Sequence, residues 1–117
     1  MVRRGEQVEA LVTITRPHGL GDVAVGLVCT EYYDFEQTRT DKEGTHTSRE
    51  TAEATAHETW QPVESTPGIQ SIRLTIPPEA PFSYQGDCLS FKWEVVAKGR
   101  KRHRLDAQTR REIVVFP

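Results

Sequence analysis

The 117-residue sequence has only two cysteines, few strongly apolar residues and no long apolar run. Two cysteines cannot form a disulfide scaffold, so a reducing, cytoplasmic setting is expected. No stretch approaches the roughly 20 apolar residues of a membrane-spanning helix, and no apolar signal segment follows Met1 to Arg4. Secretion and membrane spanning are therefore not expected, and no feature of the sequence specifies a particular biochemical activity.

Leu, Ile, Val and Phe together number 26, just above the share at which a chain of low net charge resembles a disordered one. The core is therefore expected to be thin. The length fits one domain of ordinary size, and no linker or internal repeat divides the chain. We expect a single β-sandwich domain over residues 1–117.

Apolar residues that recur in this chain do so at a spacing of two. Short segments of this kind, separated by Gly, Pro and Asp, are typical of antiparallel strands with one exposed face. The most regular example alternates Leu89, Phe91, Trp93 and Val95 with polar neighbours. The predicted strands are 8–14, 23–29, 72–76, 89–97 and 113–116.

Residues 36–59 are mostly Thr, Glu, Arg, His and Ala, and their pattern is less clear. Alanine and glutamate would permit a helix. The alternation of threonine with alanine instead favours a loop at 36–46 followed by a long edge strand at 47–60, with Trp60 on the same face as the alanines. Charges along such a strand would discourage edge-to-edge aggregation.

Six or seven short strands in about 110 residues predict an all-β, immunoglobulin-like antiparallel sandwich, because two sheets bury one face of every strand. A small barrel is the alternative.

The sequence also resembles the arrestin-like superfamily, which includes arrestins, a retromer cargo-adaptor subunit and bacterial sporulation-control proteins. The resemblance lies in a strand that ends at Pro77, in the Pro81 to Gly86 corner and in Trp93 followed by Glu94. It implies one arrestin-like sandwich half of about seven strands, with a role in binding proteins and no common catalytic site. Such proteins usually carry two halves, so the chain is either one domain of a longer protein or a single-domain relative.

The strongest local signal is a basic cluster near the C-terminal end. Residues 88–117 hold 8 basic and 3 acidic side chains, whereas residues 1–87 hold 7 and 14. Clustered cations attract nucleic acid, anionic lipid or acidic peptides. The same cluster also fits an ordinary solvated hairpin, and it has no interleaved aromatic for base stacking. The candidate partner-binding residues are Arg100, Lys101, Arg102, Arg104, Arg110 and Arg111.

The remaining reactive side chains predict no catalytic, metal or cofactor site. Cys29 and Cys88 are expected to be free thiols, because Cys88 alternates out of phase with the apolar face of its strand. The four histidines lack the spacing of a zinc site. Glu31, beside two tyrosines at the end of an apolar strand, is the one carboxylate singled out, and a strand emerging into water explains it equally well.

These observations favour a non-enzymatic protein-binding or scaffold module that acts through its 47–60 edge or its basic hairpin. One alternative is anionic-surface binding through residues 99–111, with lipid headgroups or nucleic acid as ligand. Another is a purely structural domain that docks through Tyr32, Tyr33 and Phe35. The oligomeric state stays open, with a dimer among the options.

Overall fold

The structure, a computed structural model, describes residues 2–14, 20–101 and 107–117. Within these ranges the chain forms strands joined by turns. The strands are β1 (Val2–Arg3), β2 (Gln7–Ile14), β3 (Leu20–Asp41), β4 (Gly44–Val63), β5 (Gly68–Thr75), β6 (Tyr84–Gln85), β7 (Leu89–Lys101), β8 (Ala107–Ile113) and β9 (Val115–Phe116). No helix long and apolar enough to cross a bilayer occurs in these ranges.

Two antiparallel sheets make up the body of the molecule. The small sheet pairs β2 with β5, and the large sheet has the order β4-β3-β7, with β8 and β6 both pairing with β7. The short strands β1 and β9 form a separate parallel pair. We call the face of the large sheet that packs on the small sheet its inner face, and the opposite face its outer face.

The core lies between the two sheets, where the alternating apolar residues meet. Val12 and Leu74 of the small sheet share one buried cluster with Leu27 and Trp93 of the large sheet. The Trp93 indole is fully buried, and its Nε1 donates a hydrogen bond to the Pro81 carbonyl at 2.8 Å. The predicted all-β antiparallel sandwich is therefore confirmed. One apolar face of each sheet packs against the other, and together they form the core.

The predicted loop at 36–46 is wrong. Strand β3 continues to Asp41, and β4 begins at Gly44, so two residues complete the turn between them. The Glu43 amide donates a hydrogen bond to Asp41 Oδ1 at 2.8 Å. Gly44 takes a φ of 125°, which residues other than glycine rarely adopt. Local turn chemistry closes a hairpin whose strands are too polar to show an apolar alternation.

Beyond the sandwich, β3 and β4 continue as a two-stranded ribbon, defined here as residues 34–51. The β3–β7 pairing ends at Tyr33, whereas β3 and β4 stay paired out to the turn. Eight residue pairs extend about 27 Å. The radius of gyration is 18.7 Å, against about 13 Å for a compact domain of this length. The ribbon therefore projects into solvent.

Candidate functional site

Strand β4 forms an edge of the large sheet, as the sequence predicts for residues 47–60. Within the described residues it pairs with β3 alone, over its whole length from Gly44 to Val63. Every residue from 44 to 51 is exposed, as are residues 53–56. An edge of this kind offers a row of unpaired N–H and C=O groups to an incoming strand.

The hydrogen bonding of β3 shows which β4 amides face the open side. The Asp34 amide donates to the Cys88 carbonyl at 2.9 Å, so the backbone of Asp34 points away from β4. Asp34 lies directly opposite Thr51. In an antiparallel ladder, two residues that lie opposite one another without exchanging hydrogen bonds both direct their N–H and C=O groups away from each other. Thr51 therefore directs its N–H and C=O to the open edge, and positions 47, 49, 53 and 55 do the same.

Side-chain contacts hold the edge strand against β3 at the base of the ribbon. Arg49 Nη2 lies 3.0 Å from Asp34 Oδ2, and the Thr51 hydroxyl donates to Asp34 Oδ1 at 2.7 Å. Farther out, the hydroxyls of Thr38 and Thr47 lie 3.4 Å apart. Arg49 Nη2 also donates to the Asp87 carbonyl at 3.4 Å and to Cys88 Sγ at 3.3 Å. All these contacts lie on the β3 side of β4, so they leave its outward amides uncovered.

A β-bulge divides β4 into two halves with opposite phase. Cys29 pairs with His57, but the next residue, Thr30, pairs with Thr55, which leaves Ala56 unmatched. Side chains beyond the bulge therefore change face. The expectation that Trp60 shares the face of the alanines is wrong, because Trp60 lies opposite Gly26 on the outer face, whereas Ala52 and Ala54 follow the inner face.

The bulge also brings His57 to the inner face, where its ring centroid lies 5.8 Å from that of Trp93. The His57 Nε2 atom is buried and has no hydrogen-bond partner among the described residues. Cys29, opposite His57, is fully buried. Burial, with a smaller contribution from the Glu31 charge, raises the pKa of the Cys29 thiol to about 11. Cys29 therefore belongs to the core, whereas His57 beside it is only partly buried.

A shallow groove of about 560 Å³ crosses the outer face beside the β4 edge. Lys98 Nζ lies 4.8 Å from the centre of the Trp60 ring, and Arg110 Nη1 lies 3.4 Å from Oε1 of the largely buried Glu94. Strand β4 contributes three acidic or aromatic side chains to the wall, namely Glu53, Glu58 and Trp60. The sequence shows the alternation of Lys92, Glu94 and Lys98, but only the bulge places Trp60 beside them.

The structure does not bring the described members of the basic cluster onto one face. Arg110 lies opposite Val96 and reaches Glu94 on the outer face, whereas Arg111 lies opposite Val95 on the inner side. Arg100 is exposed, and Lys101 after it is the last residue of β7. Arg102 and Arg104 lie outside the described residues. A joint binding role for the six cations stays a prediction.

Other residues singled out from the sequence lie apart from one another. Cys88 is an exposed free thiol, whereas Cys29 is buried. Tyr33 and Phe35 are partly exposed near the base of the ribbon, with ring centroids 6.2 Å apart. In the parts of the chain that the structure describes, no group of three or more His, Cys, Asp or Glu side chains is placed to hold a metal ion.

Comparison with known proteins finds structural similarity alone. No family model and no curated protein matches the chain. Among solved structures, Spo0M, the sporulation control protein of Bacillus subtilis, matches with a TM-score of 0.49 and 15% sequence identity. The match covers 98% of this chain and 44% of the Spo0M chain. At this level of similarity, neither the family nor the function of the chain follows from it.

Proposed function

We propose that the chain is a non-enzymatic protein-binding module of one sandwich domain, whose β4 edge takes up an extended strand of a partner protein. The observation that carries this proposal is the open edge itself. Strand β4 is 20 residues long and pairs on one side only within the described chain. Main-chain hydrogen bonds supply affinity when a strand is added to such an edge, and side chains flanking the edge supply specificity.

The ribbon supports the same proposal. An isolated two-stranded ribbon is marginally stable in water, and three or more strands are needed for independent stability. Residues 34–41 and 44–51 pair with one another beyond the end of β7. A further strand on the β4 side converts this part of the molecule into a three-stranded sheet, so the partner strand stabilises the ribbon as it binds.

The charges along the edge favour a strand that places a basic residue opposite one of its glutamates. From Glu50 to Glu58 the strand holds three glutamates and no lysine or arginine. The same glutamates, other than Glu50, line the outer groove beside Trp60. Lys98 already covers the Trp60 ring, so a lysine or arginine projecting from an added strand on the outer face pairs with the carboxylates of Glu53 and Glu58.

The test measures the binding of short fluorescein-labelled peptides that alternate threonine and lysine, using fluorescence anisotropy. Thr51→Pro removes an outward N–H without removing a bond to β3, and we expect it to weaken binding about tenfold. Thr51→Val is the matched control, since it loses the hydroxyl bond to Asp34 but keeps the amide. Thr55→Pro should act like Thr51→Pro.

Two results would contradict the proposal. Unchanged binding by Thr51→Pro and Thr55→Pro would remove the edge as the site. Loss of binding on charge reversal of Arg100, Arg102 and Arg104, with the proline variants unaffected, would instead favour the basic hairpin. In that case anionic vesicles and nucleic acid become the probes, and their binding should fall steeply with added salt.

A further inference from the structure

We infer that the strand added to the β4 edge is β4 of a second copy of this chain, paired antiparallel about a two-fold axis at Thr51. This inference rests on the proposed use of the β4 edge. It is drawn from the direction of the edge amides and from the order of charges along residues 47–55.

Symmetry limits the registers in which two β4 edges can pair. Antiparallel pairing of two identical edges requires a two-fold axis perpendicular to the sheet, so each residue faces a residue on the same face of the partner sheet. The axis therefore lies between the two strands, midway between one residue and the same residue of the other copy. Positions 49 to 54 lie at the middle of the exposed edge, before the bulge at Ala56.

Like charges exclude three of these six registers. An axis at 49, 50 or 53 places Arg49, Glu50 or Glu53 opposite its own copy. Like charges directly opposite one another on neighbouring strands are destabilising.

The axis at Thr51 is the one central register that matches opposite charges. It places Arg49 of each copy opposite Glu53 of the other on the outer face. The Arg49–Asp34 contact involves Nη2, so each guanidinium turns its other nitrogens towards Glu53 and two ion pairs flank the axis. Thr47 then lies opposite Thr55, and Glu50 opposite Ala52. The two remaining registers, with their axes at Ala52 and Ala54, oppose no like charges on one face, but neither places Arg49 opposite a glutamate.

The backbone satisfies the same register. Thr51 directs its N–H and C=O to the open edge, because the amide of Asp34, the residue opposite it, donates its hydrogen bond to the Cys88 carbonyl. Two copies of Thr51 can therefore exchange both hydrogen bonds, with their Cα atoms about 5.5 Å apart. The two ribbons then lie side by side in one four-stranded sheet, which is above the number of strands needed for independent stability.

Disulfide trapping tests this register directly. In a Cys88→Ser background, Thr51→Cys should form a covalent dimer under mild oxidation, because a Cα separation of about 5.5 Å fits a disulfide. Thr47→Cys alone should not form one, since its own copy lies about 27 Å away along the strand. A mixture of Thr47→Cys and Thr55→Cys proteins should cross-link. Cross-linking of Ala52→Cys in place of Thr51→Cys would overturn the register.

Charge exchange gives a second measurement that needs no cysteine. Sedimentation of the unmodified chain should show a concentration-dependent dimer. Glu53→Arg should weaken the dimer about tenfold, because Arg49 then faces an arginine. Adding Arg49→Glu to Glu53→Arg should restore it. A chain that stays monomeric at all concentrations, yet binds threonine–lysine peptides in a Thr51-dependent way, would overturn self-pairing and leave the proposed function standing. Loss of both would overturn both.

Discussion

The indole of Trp60 lies directly over Gly26 on the outer face of the large sheet. A Cβ atom at position 26 would lie 2.6 Å from Cδ2 and Cε3 of Trp60 and 2.6 Å from the Thr59 carbonyl oxygen. Real Cβ atoms essentially never come so close to other heavy atoms. The absence of a side chain at Gly26 is therefore what allows Trp60 to cover the sheet and form one wall of the outer groove.

Gly26→Ala should destabilise the protein by about 1–3 kcal/mol, because the added methyl forces both the indole and the backbone at Thr59 to move. Urea unfolding measures the loss. In a Trp60→Ala background the cost of Gly26→Ala should fall but stay above zero, since the Thr59 carbonyl is still in the way. An equal cost in both backgrounds would show that Trp60 does not occupy this position.

Trp93→Phe should cost about 2 kcal/mol or more of unfolding free energy. The substitution leaves a space in a fully buried site and removes the donor to the Pro81 carbonyl. Trp60→Phe is the matched comparison, because Trp60 is only half-buried, on the outer face. We expect it to cost clearly less. Similar losses at the two positions in urea unfolding would contradict the placement of Trp93 at the centre of the core.

The two thiols should differ in reactivity and in their effect on stability at high pH. Cys88 is exposed and should react with a thiol reagent in the folded protein, whereas Cys29 should react only on unfolding. Burial raises the pKa of Cys29 from 9.0 to about 11. The unfolded thiol therefore ionises first, and the stability that Cys29 contributes below pH 9 is lost as the pH rises towards about 11.

Cys29→Ala supplies the control for this pH dependence. The difference in unfolding free energy between the parent protein and Cys29→Ala, measured by urea unfolding at a series of pH values, cancels the titration of tyrosines and lysines. We expect this difference to be constant below pH 9 and to shift against the parent between pH 9 and about 11. A difference that is flat across the whole range would contradict the buried placement of the thiol.

Asp34→Ala should loosen the ribbon while leaving the sandwich intact. The Asp34 carboxylate accepts a hydrogen bond from the Thr51 hydroxyl and forms an ion pair with Arg49. Asp34→Ala removes both contacts. We expect faster amide exchange over residues 35–50, measured by mass spectrometry, and unchanged exchange in β7. Glu36→Ala, on the same ribbon, is the control and should have little effect. Equal exchange in the two variants would mean that the Asp34 contacts do not hold the ribbon.

Much of the sandwich could be predicted from its sequence because the strands that build the core alternate strictly. Val12, Leu27, Leu74 and Trp93 each belong to an alternating segment, and each is buried between the sheets. Burial of one face is a local consequence of strand geometry, so a spacing of two is sufficient to identify it. The placement of 47–60 at a sheet edge could be predicted for the same reason, since its exposed residues are polar.

The ribbon and the candidate site could not be predicted from an alternation of apolar residues. Residues 36–46 resemble a loop because neither face of the ribbon is buried, and an unburied strand leaves no apolar pattern. The basic cluster is continuous in sequence, yet Arg110 and Arg111 point to opposite faces, because neighbouring residues of a strand always do so. Proximity along the chain therefore did not predict proximity on a surface.

The sequence by itself determined the class of fold, since its apolar residues alternate and its glycines and prolines interrupt the strands. The 26 Leu, Ile, Val and Phe residues are sufficient for a core, because each of the two sheets needs only one apolar face. Only the tertiary structure decided where Trp60 and His57 lie. One unmatched residue at Ala56 reverses the faces of β4, because the side-chain period is two and any single insertion exchanges inside for outside.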